Sequence, residues 1–216
     1  MKKQILFILV LFMCATAFGQ NKGKEYHEKA VNYTYGIGGV KQDSKKGIEY
    51  LKKAAKEGYA QAQFAMGVNY FNGYADFKQD YKKALEWYEK AAAQKFGDAS
   101  YQIGIMYRQG YGVPIDKKVA ARWFEIAADQ GCVDAAVSLA GMYKLGEGVD
   151  KDYYIAIKWL KKAAEKGNDD AILKIGALYE EGGYGIQQNY TEAEKWYKKS
   201  KNGTFYLTPL YKKMGK

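Results

Sequence analysis

Tryptophan recurs along this chain at an almost constant interval. The four tryptophans are separated by 36, 36 and 37 residues and lie at Trp87, Trp123, Trp159 and Trp196. Five tyrosines follow a similar period, with separations of 37, 37, 36 and 36 residues, at Tyr33, Tyr70, Tyr107, Tyr143 and Tyr179. Periods of this size are typical of proteins in which small helical units stack and bury their apolar faces against each other. The spacing therefore predicts a repeat array that occupies most of the chain.

The unit at residues 99–134 shows what each repeat contains. Its first part places apolar residues such as Ile103 on one face of a helix, which we call helix A. Glycines and Pro114 end this helix, and a second apolar stripe that includes Phe124 predicts helix B, which closes at Gly131. Each repeat is thus predicted to be an antiparallel helix pair. The predicted fold class is all-α, a right-handed α-solenoid of about five repeats of 36 to 37 residues.

Residues of the types preferred at helix N-termini precede helix B in all five units: Asp43, Asp80, Asp116, Asp152 and Asn189. Glu192 follows Asn189 by three residues, which predicts a capping box. Glycine occupies the middle of helix A in three units, at Gly67, Gly104 and Gly176, and Ala140 takes this position in the fourth. A glycine there costs about 1 kcal/mol relative to alanine, so close helix packing is expected to offset the loss. The tryptophan and tyrosine series share this packing face and are predicted to lie in the core.

The combined pattern resembles the Sel-one-like repeat family, relatives of the tetratricopeptide repeats. It reads A-x-x-x-(L/I/M)-G-x-x-Y, a G-x-G-V-like loop, Asp, and then K-A-x-x-W-x-x-K-A-A-x-x-G, and it covers about residues 24–203. Two departures are local: Tyr50 replaces the first tryptophan, and Lys95 stands where other units end helix B with Gly58, Gly131, Gly167 and Gly203. The resemblance implies a scaffold that binds other proteins, with helix A lining the inner surface.

Residues 1–19 have the features of a secretory signal peptide: two lysines, an apolar run, and small residues at Ala15 and Ala17 or at Ala17 and Gly19. We expect cleavage after Ala17 or Gly19, followed by the repeat array at 20–203 and a C-terminal capping segment at 204–216. The apolar run is shorter than the roughly 20 residues of a spanning helix, so no stable membrane insertion is expected after cleavage. The short, lysine-led signal is typical of bacteria and predicts a periplasmic or extracellular protein.

Two alternatives for the leader stay open, an uncleaved anchor and a lipidated Cys14. Bacterial lipoprotein signals favour a small residue before the cysteine, and Met13 is not small.

Candidates for catalysis are few. Cys132 is the only cysteine after the leader, which excludes an intramolecular disulfide, and it is predicted to be a buried small residue. His27 is the only histidine and is predicted to be a solvated helix residue. The Gly-x-Gly sequences follow helices rather than strands, which indicates turns and not phosphate loops. We therefore predict no catalytic residue, no metal site, no cofactor and no enzyme activity.

The predicted binding surface is a stripe of polar residues on helix A, together with a row of tyrosines in the loops between helices. The stripe residues are Gln102, Ser138 and Lys174, followed by Arg108, Lys144 and Glu180. The loop residues are Tyr74, Tyr111 and Tyr184, whose rings suit partner contact unless each folds back over its own loop.

We predict a protein or an extended peptide as the partner. Without Lys2 and Lys3, 32 basic residues face 24 acidic ones, a net charge of +8 that attracts anionic surfaces. An acidic protein partner is therefore one candidate, whereas nucleic acid is not expected for an exported protein.

Two other functions remain as alternatives. One is an envelope hydrolase, β-lactamase-like or acting on peptidoglycan, or an accessory to one, by resemblance to cysteine-rich relatives. It would have to depend on a serine such as Ser138 with a lysine neighbour. The other is a secreted effector that acts in a host.

Overall fold

A computed structural model of the chain describes residues 21–74 and 76–215. These residues contain eleven α-helices and, outside them, one isolated bridge pair between Gly183 and Ile186. The helices are α1 (21–35), α2 (Ser44–Lys56), α3 (Ala60–Asn72), α4 (Tyr81–Ala92), α5 (Gly97–Gln109), α6 (Lys117–Asp129), α7 (Val133–Leu145), α8 (Tyr153–Glu165), α9 (Asp169–Glu181), α10 (Tyr190–Lys199) and α11 (Thr204–Lys213). The predicted fold class, an all-α array of helix pairs, is confirmed. The predicted signal peptide and Cys14 lie outside the described residues.

The chain forms two compact units, one up to Ala99 and the other from Ser100. In the first unit α3 packs against both α2 and α4. In the second, each helix from α6 to α10 packs against the next helix along the chain. The largest cluster of buried side chains lies in the second unit and extends along the chain from α6 to α9.

Side-chain caps begin every even-numbered helix from α2 to α10. The capping oxygen accepts a hydrogen bond from the backbone N–H three residues later, at 2.8 to 3.0 Å, in Asp43, Asp80, Asp116, Asp152 and Asn189. The five predicted caps are therefore confirmed. The predicted capping box does not form, because the Asn189 N–H donates to the Tyr179 carbonyl at 2.7 Å and the Glu192 carboxylate accepts a hydrogen bond from the Lys195 ammonium at 2.6 Å.

Backbone conformation explains the glycines that follow helix B. Gly58, Gly131 and Gly167 have φ values of +87°, +92° and +84°, a region that only glycine enters without strain. Lys95 adopts the same conformation with φ of +62°. Gly203 differs, because it has φ of −67° and forms the N-terminal boundary of α11.

The centre of the core lies one residue beyond each tryptophan. The residues there are Tyr88, Phe124, Leu160 and Tyr197, each no more than 2% exposed. Trp159 is also buried, but Trp87, Trp123 and Trp196 are only half-buried, as are the five repeating tyrosines. Three of the tryptophans are covered by a lysine ammonium three residues later, 4.0 to 4.2 Å from the ring, at Lys90, Lys162 and Lys199. Apart from Trp159, the tryptophans and the repeating tyrosines thus border the core rather than filling its centre.

Candidate functional site

The six residues of the predicted stripe lie on α5, α7 and α9, the A helices of three successive repeats. Gln102, Arg108, Ser138 and Lys144 are half-buried, and Lys174 is exposed. Glu180 is half-buried near the end of α9. The second unit therefore carries the whole stripe.

The C-terminal half of the stripe connects successive repeats through ion pairs. The Arg108 guanidinium donates to Glu147 Oε2 at 2.9 Å, and the Lys144 ammonium lies 3.0 Å from Glu181 Oε2. Glu147 follows α7 in the loop before α8, and Glu181 ends α9. Each basic residue at the end of a helix A therefore pairs with an acid in the following repeat.

Glu180 is the third member of this half and accepts two hydrogen bonds. Tyr197 Oη donates to Glu180 Oε2 at 2.7 Å, and Lys213 Nζ donates to Glu180 Oε1 at 2.7 Å. The carboxylate thereby joins α9 to α10 and to α11. Arginine, lysine and glutamate at this position of the stripe therefore all have partners within the protein.

These pairs shift the acidity of their members. Burial opposes ionisation of Glu147, but the Arg108 guanidinium and Lys117 still hold the pKa of that carboxyl below its ordinary value. A hydrogen bond from Tyr153 and the Lys144 charge lower the pKa of Glu181. Burial and Glu181 raise the pKa of Tyr153 to about 12. Both carboxylates are therefore held in their ionised form at neutral pH.

A small apolar cavity opens between the helices that carry the stripe. It has a volume of about 120 Å³ and is lined by Ala140, Gly141, Lys144, Leu160, Lys174, Ala177 and Leu178. Lys144 of α7 and Lys174 of α9 are thus brought to one place. Sequence reasoning missed Gly141, although the repeat alignment contains a signal: the other units have Val31, Val68, Ile105 and Ala177 at this position.

The loop tyrosines differ in their surroundings. Tyr74 is 56% and Tyr184 is 55% exposed, whereas Tyr111 is half-buried. The Tyr184 ring lies 5.2 Å from the Tyr153 ring, and the Lys151 ammonium lies 3.8 Å from its centroid. Tyr184 therefore packs on the start of α8 while about half of its surface faces solvent.

A larger polar cleft lies between α6 and the loop that joins α7 to α8. Its volume is about 750 Å³, and its wall includes Arg122, Lys151, Glu125 and Tyr143. Its wall contains both cations and carboxylates, and none of the nine predicted binding residues lines it.

Other candidate chemistry is sparse in residues 21–74 and 76–215. No group of three or more histidine, cysteine or acidic side chains there is placed to hold a metal ion. His27 is half-buried with its ring 5.2 Å from the Tyr59 ring, and burial lowers its pKa, so it is a packing residue rather than a solvated one. None of the described helices combines the length and apolar character needed to span a bilayer.

Comparison with known proteins places this geometry in a family. The Sel1 repeat matches the chain five times in succession, at residues 30–59, 60–96, 97–132, 133–168 and 169–203. These matches and the paired helices define a helical-repeat protein. The chain belongs to the Sel1 repeat family, as the sequence pattern predicted.

Solved structures of Sel1 repeat proteins are similar to this chain. One is c5321, a protective antigen of uropathogenic Escherichia coli strains with an SLR fold, at 33% identity and a TM-score of 0.79. That match covers 88% of this chain and 41% of the antigen, so this chain spans less than half of that protein. Another is a Sel1 repeat protein from Oxalobacter formigenes, at 30% identity and a TM-score of 0.73, covering 83% of this chain and 72% of the other.

The immunity protein Pa5087 of Pseudomonas aeruginosa matches at 21% identity with a TM-score of 0.50, a likeness of fold alone. That match covers 81% of this chain and 63% of the immunity protein. The curated proteins contain no match to this chain. Proteins built from Sel1 repeats are typically scaffolds for protein–protein interaction.

Proposed function

We propose that this protein is an exported, non-catalytic scaffold that binds another protein or an extended peptide through the helix A surface of its second unit. The observation that carries the proposal is a contrast between the repeats. Positions that build the helix pair recur from unit to unit, including five caps and the left-handed residues that follow helix B. The residue types at the stripe positions do not recur, because one and the same position is occupied by Gln102, Ser138 and Lys174 in successive units. Surfaces that differ along a regular scaffold suit recognition of one particular partner.

The internal ion pairs divide the stripe into two parts. Arg108 and Glu180 have partners within the protein and contribute to the connection between repeats. Lys144 and Lys174 also pair with acids, but their side chains remain 41% and 49% exposed. These two lysines, with Gln102 and Ser138, are therefore the part of the stripe that we assign to the partner.

The loop tyrosines of the second unit give this surface a second contact region. Tyr74 and Tyr184 are more than half exposed, and tyrosine is enriched at protein interfaces because its ring is large and its hydroxyl is polar. We include Tyr184 and Tyr111, which lie in the second unit, in the proposed binding surface, and we propose Tyr74 as a separate contact residue of the first unit. The positive net charge favours an acidic partner.

Affinity capture tests the proposal. Residues 20–216 are immobilised and exposed to envelope extract, and retained proteins are identified by mass spectrometry. The binding variant is Lys144→Gln with Lys174→Gln, which removes two charges from helix A. The matched control is Lys118→Gln with Lys158→Gln, which removes two exposed charges from helix B. A protein retained by the wild type and the control but not by the binding variant supports the proposal.

Equal retention by all three proteins would contradict the assigned surface. A nitrocefin or muropeptide assay on the same purified protein addresses the envelope hydrolase alternative directly. Turnover that persists through purification and is lost in Ser138→Ala would contradict the scaffold and support the hydrolase.

A further inference from the structure

Gly141 in the middle of α7 lacks the packing reason that explains the other mid-helix glycines. A Cβ at Gly67, Gly104 or Gly176 would lie within 2.6 Å of an aromatic ring of helix B, so only glycine fits there. A Cβ at Gly141 would meet nothing within 4 Å. Glycine is among the least favourable residues for a helix interior, so this position loses helix stability without gaining a contact.

The missing side chain leaves the apolar cavity open. Gly141, Ala140 and Ala177 line it with the smallest side chains, and Leu160 and Leu178 add its larger apolar surfaces. Its volume of about 120 Å³ is similar to that of an engineered apolar cavity of ~150 Å³ that admits benzene. The cavity therefore has room for one small aliphatic side chain.

Two ammonium groups border the cavity from different helices. Lys144 on α7 pairs with Glu181, and Lys174 on α9 pairs with Asp170 one turn earlier on the same helix. Both pairs are about half exposed, and exposed pairs contribute little to stability, so an incoming carboxylate can replace the internal acid. Glu181 would still accept the hydrogen bond from Tyr153 Oη, at 2.5 Å, and Asp170 lies in the first turn of α9, where the helix dipole favours a negative charge.

We propose that this cavity receives one aliphatic side chain, leucine or valine, from an acidic segment of the partner protein. Carboxylates on either side of that residue pair with Lys144 and Lys174. Because the two lysines lie on separate helices, the ligand has to extend from α7 to α9, which favours a polypeptide segment over a small anion. The inference rests on the proposed scaffold function and names the chemistry of its partner.

The test uses a fluorescein-labelled peptide, Gly-Ser-Asp-Leu-Glu-Ser-Gly, and the protein comprising residues 20–216. Fluorescence polarisation measures its affinity and the affinities of two altered peptides. One replaces the leucine by glycine, and the other replaces the two acids by their amides. We expect saturable binding by the wild-type protein, and a loss of about tenfold or more with either altered peptide.

Gly141→Ile fills the cavity with the side chain that Ile105 supplies at the aligned position. We expect a loss of affinity of about tenfold or more, with the thermal midpoint unchanged or higher. Gly141→Ala should give an intermediate affinity, which would show that the loss depends on how far the cavity is filled and not on a distortion specific to isoleucine. Val68→Ile is the matched control, because it changes the aligned position of α3 and leaves the cavity intact.

Two results would overturn the inference: no saturable binding of the leucine peptide up to about 1 mM, or equal binding by Gly141→Ile and the wild type. Either result leaves the scaffold proposal standing if affinity capture still retains a partner through Lys144 and Lys174. If the wild type and the variant with Lys144→Gln and Lys174→Gln retain the same proteins in the capture experiment, the proposed scaffold surface itself is contradicted. The two proposals therefore fail in distinguishable ways.

Discussion

Gly104 of α5 lies directly against the ring of Phe124 of α6. A Cβ at position 104 would be 2.6 Å from both Cδ1 and Cε1 of that ring, far inside van der Waals contact. The same relationship joins Gly67 to Tyr88 and Gly176 to Tyr197. In the fourth repeat Ala140 replaces the glycine and the smaller Leu160 replaces the aromatic residue. The two positions thus share a fixed volume, which the repeats divide in two ways.

This shared volume predicts a coupled pair of substitutions. Gly104→Ala should destabilise the fold by about 1 to 3 kcal/mol, because the added methyl group displaces the Phe124 ring. Adding Phe124→Leu should recover part of that loss, since the pair then reproduces Ala140 and Leu160. Urea unfolding of the two single variants and the double variant should give a coupling free energy of at least about 0.5 kcal/mol. Strictly additive effects would show that the two positions do not share their space.

Gly141 supplies the opposite prediction for the same substitution. Because a Cβ there would meet nothing within 4 Å, Gly141→Ala should stabilise the fold by about 0.5 to 1 kcal/mol through helix propensity alone. The change in free energy of unfolding is measured beside that of Gly104→Ala. A destabilised Gly141→Ala variant would mean that α7 needs glycine for a reason other than the open cavity.

Lys95 predicts a stabilising substitution at a helix end. Its φ of +62° lies in the left-handed region, which costs a residue with a side chain roughly 1 kcal/mol, whereas the aligned Gly58, Gly131 and Gly167 enter it without strain. Lys95→Gly should therefore raise the free energy of unfolding by about 0.5 to 1 kcal/mol. Gly131→Ala is the reverse control and should lower it by a similar amount or more. If both variants lose stability, the side chain of Lys95 makes a compensating contribution.

Much of the fold could be predicted because its demands are local and repeat. A cap such as Asp116 needs only its own helix, and a glycine such as Gly131 reflects one backbone angle. The order of burial in helix B was harder, since Trp123 and Phe124 are neighbours in sequence and only packing decides that Phe124 lies deeper. Trp123, the larger of the two residues, is therefore the less buried one.

The candidate site could be predicted only in part, because its geometry depends on distant partners. The positions of Lys144 and Lys174 on helix A follow from the repeat pattern, but the partner of Arg108 lies 39 residues away in a loop. A single sequence does not show which of 24 acids that guanidinium will reach. Gly141 could have been found by aligning the repeats, because it is a glycine where the other four repeats have Val31, Val68, Ile105 and Ala177.

The pairing of Arg108 with Glu147 predicts how stability depends on pH. Glu147 has a folded pKa below its ordinary value of 4.5, so the pair stabilises the fold fully above that value and loses its contribution as pH falls through the lower folded pKa. Glu147→Gln should therefore lower the free energy of unfolding at pH 7 by about 1 kcal/mol, a modest figure because both side chains are partly exposed. The difference from wild type should shrink as the pH is lowered below 4.5.

Arg108→Gln is the complementary variant, and it should lower the free energy of unfolding at pH 7 by a similar amount. In this variant Glu147 keeps Lys117, 3.5 Å away, as its remaining cation. The double variant should lose less than the two single variants combined, because the interaction can be removed only once. Free energies of unfolding from urea titrations at pH 7 and at low pH measure both effects. A Glu147→Gln deficit that stays constant across this range would show that the side chain acts by packing and not by its charge.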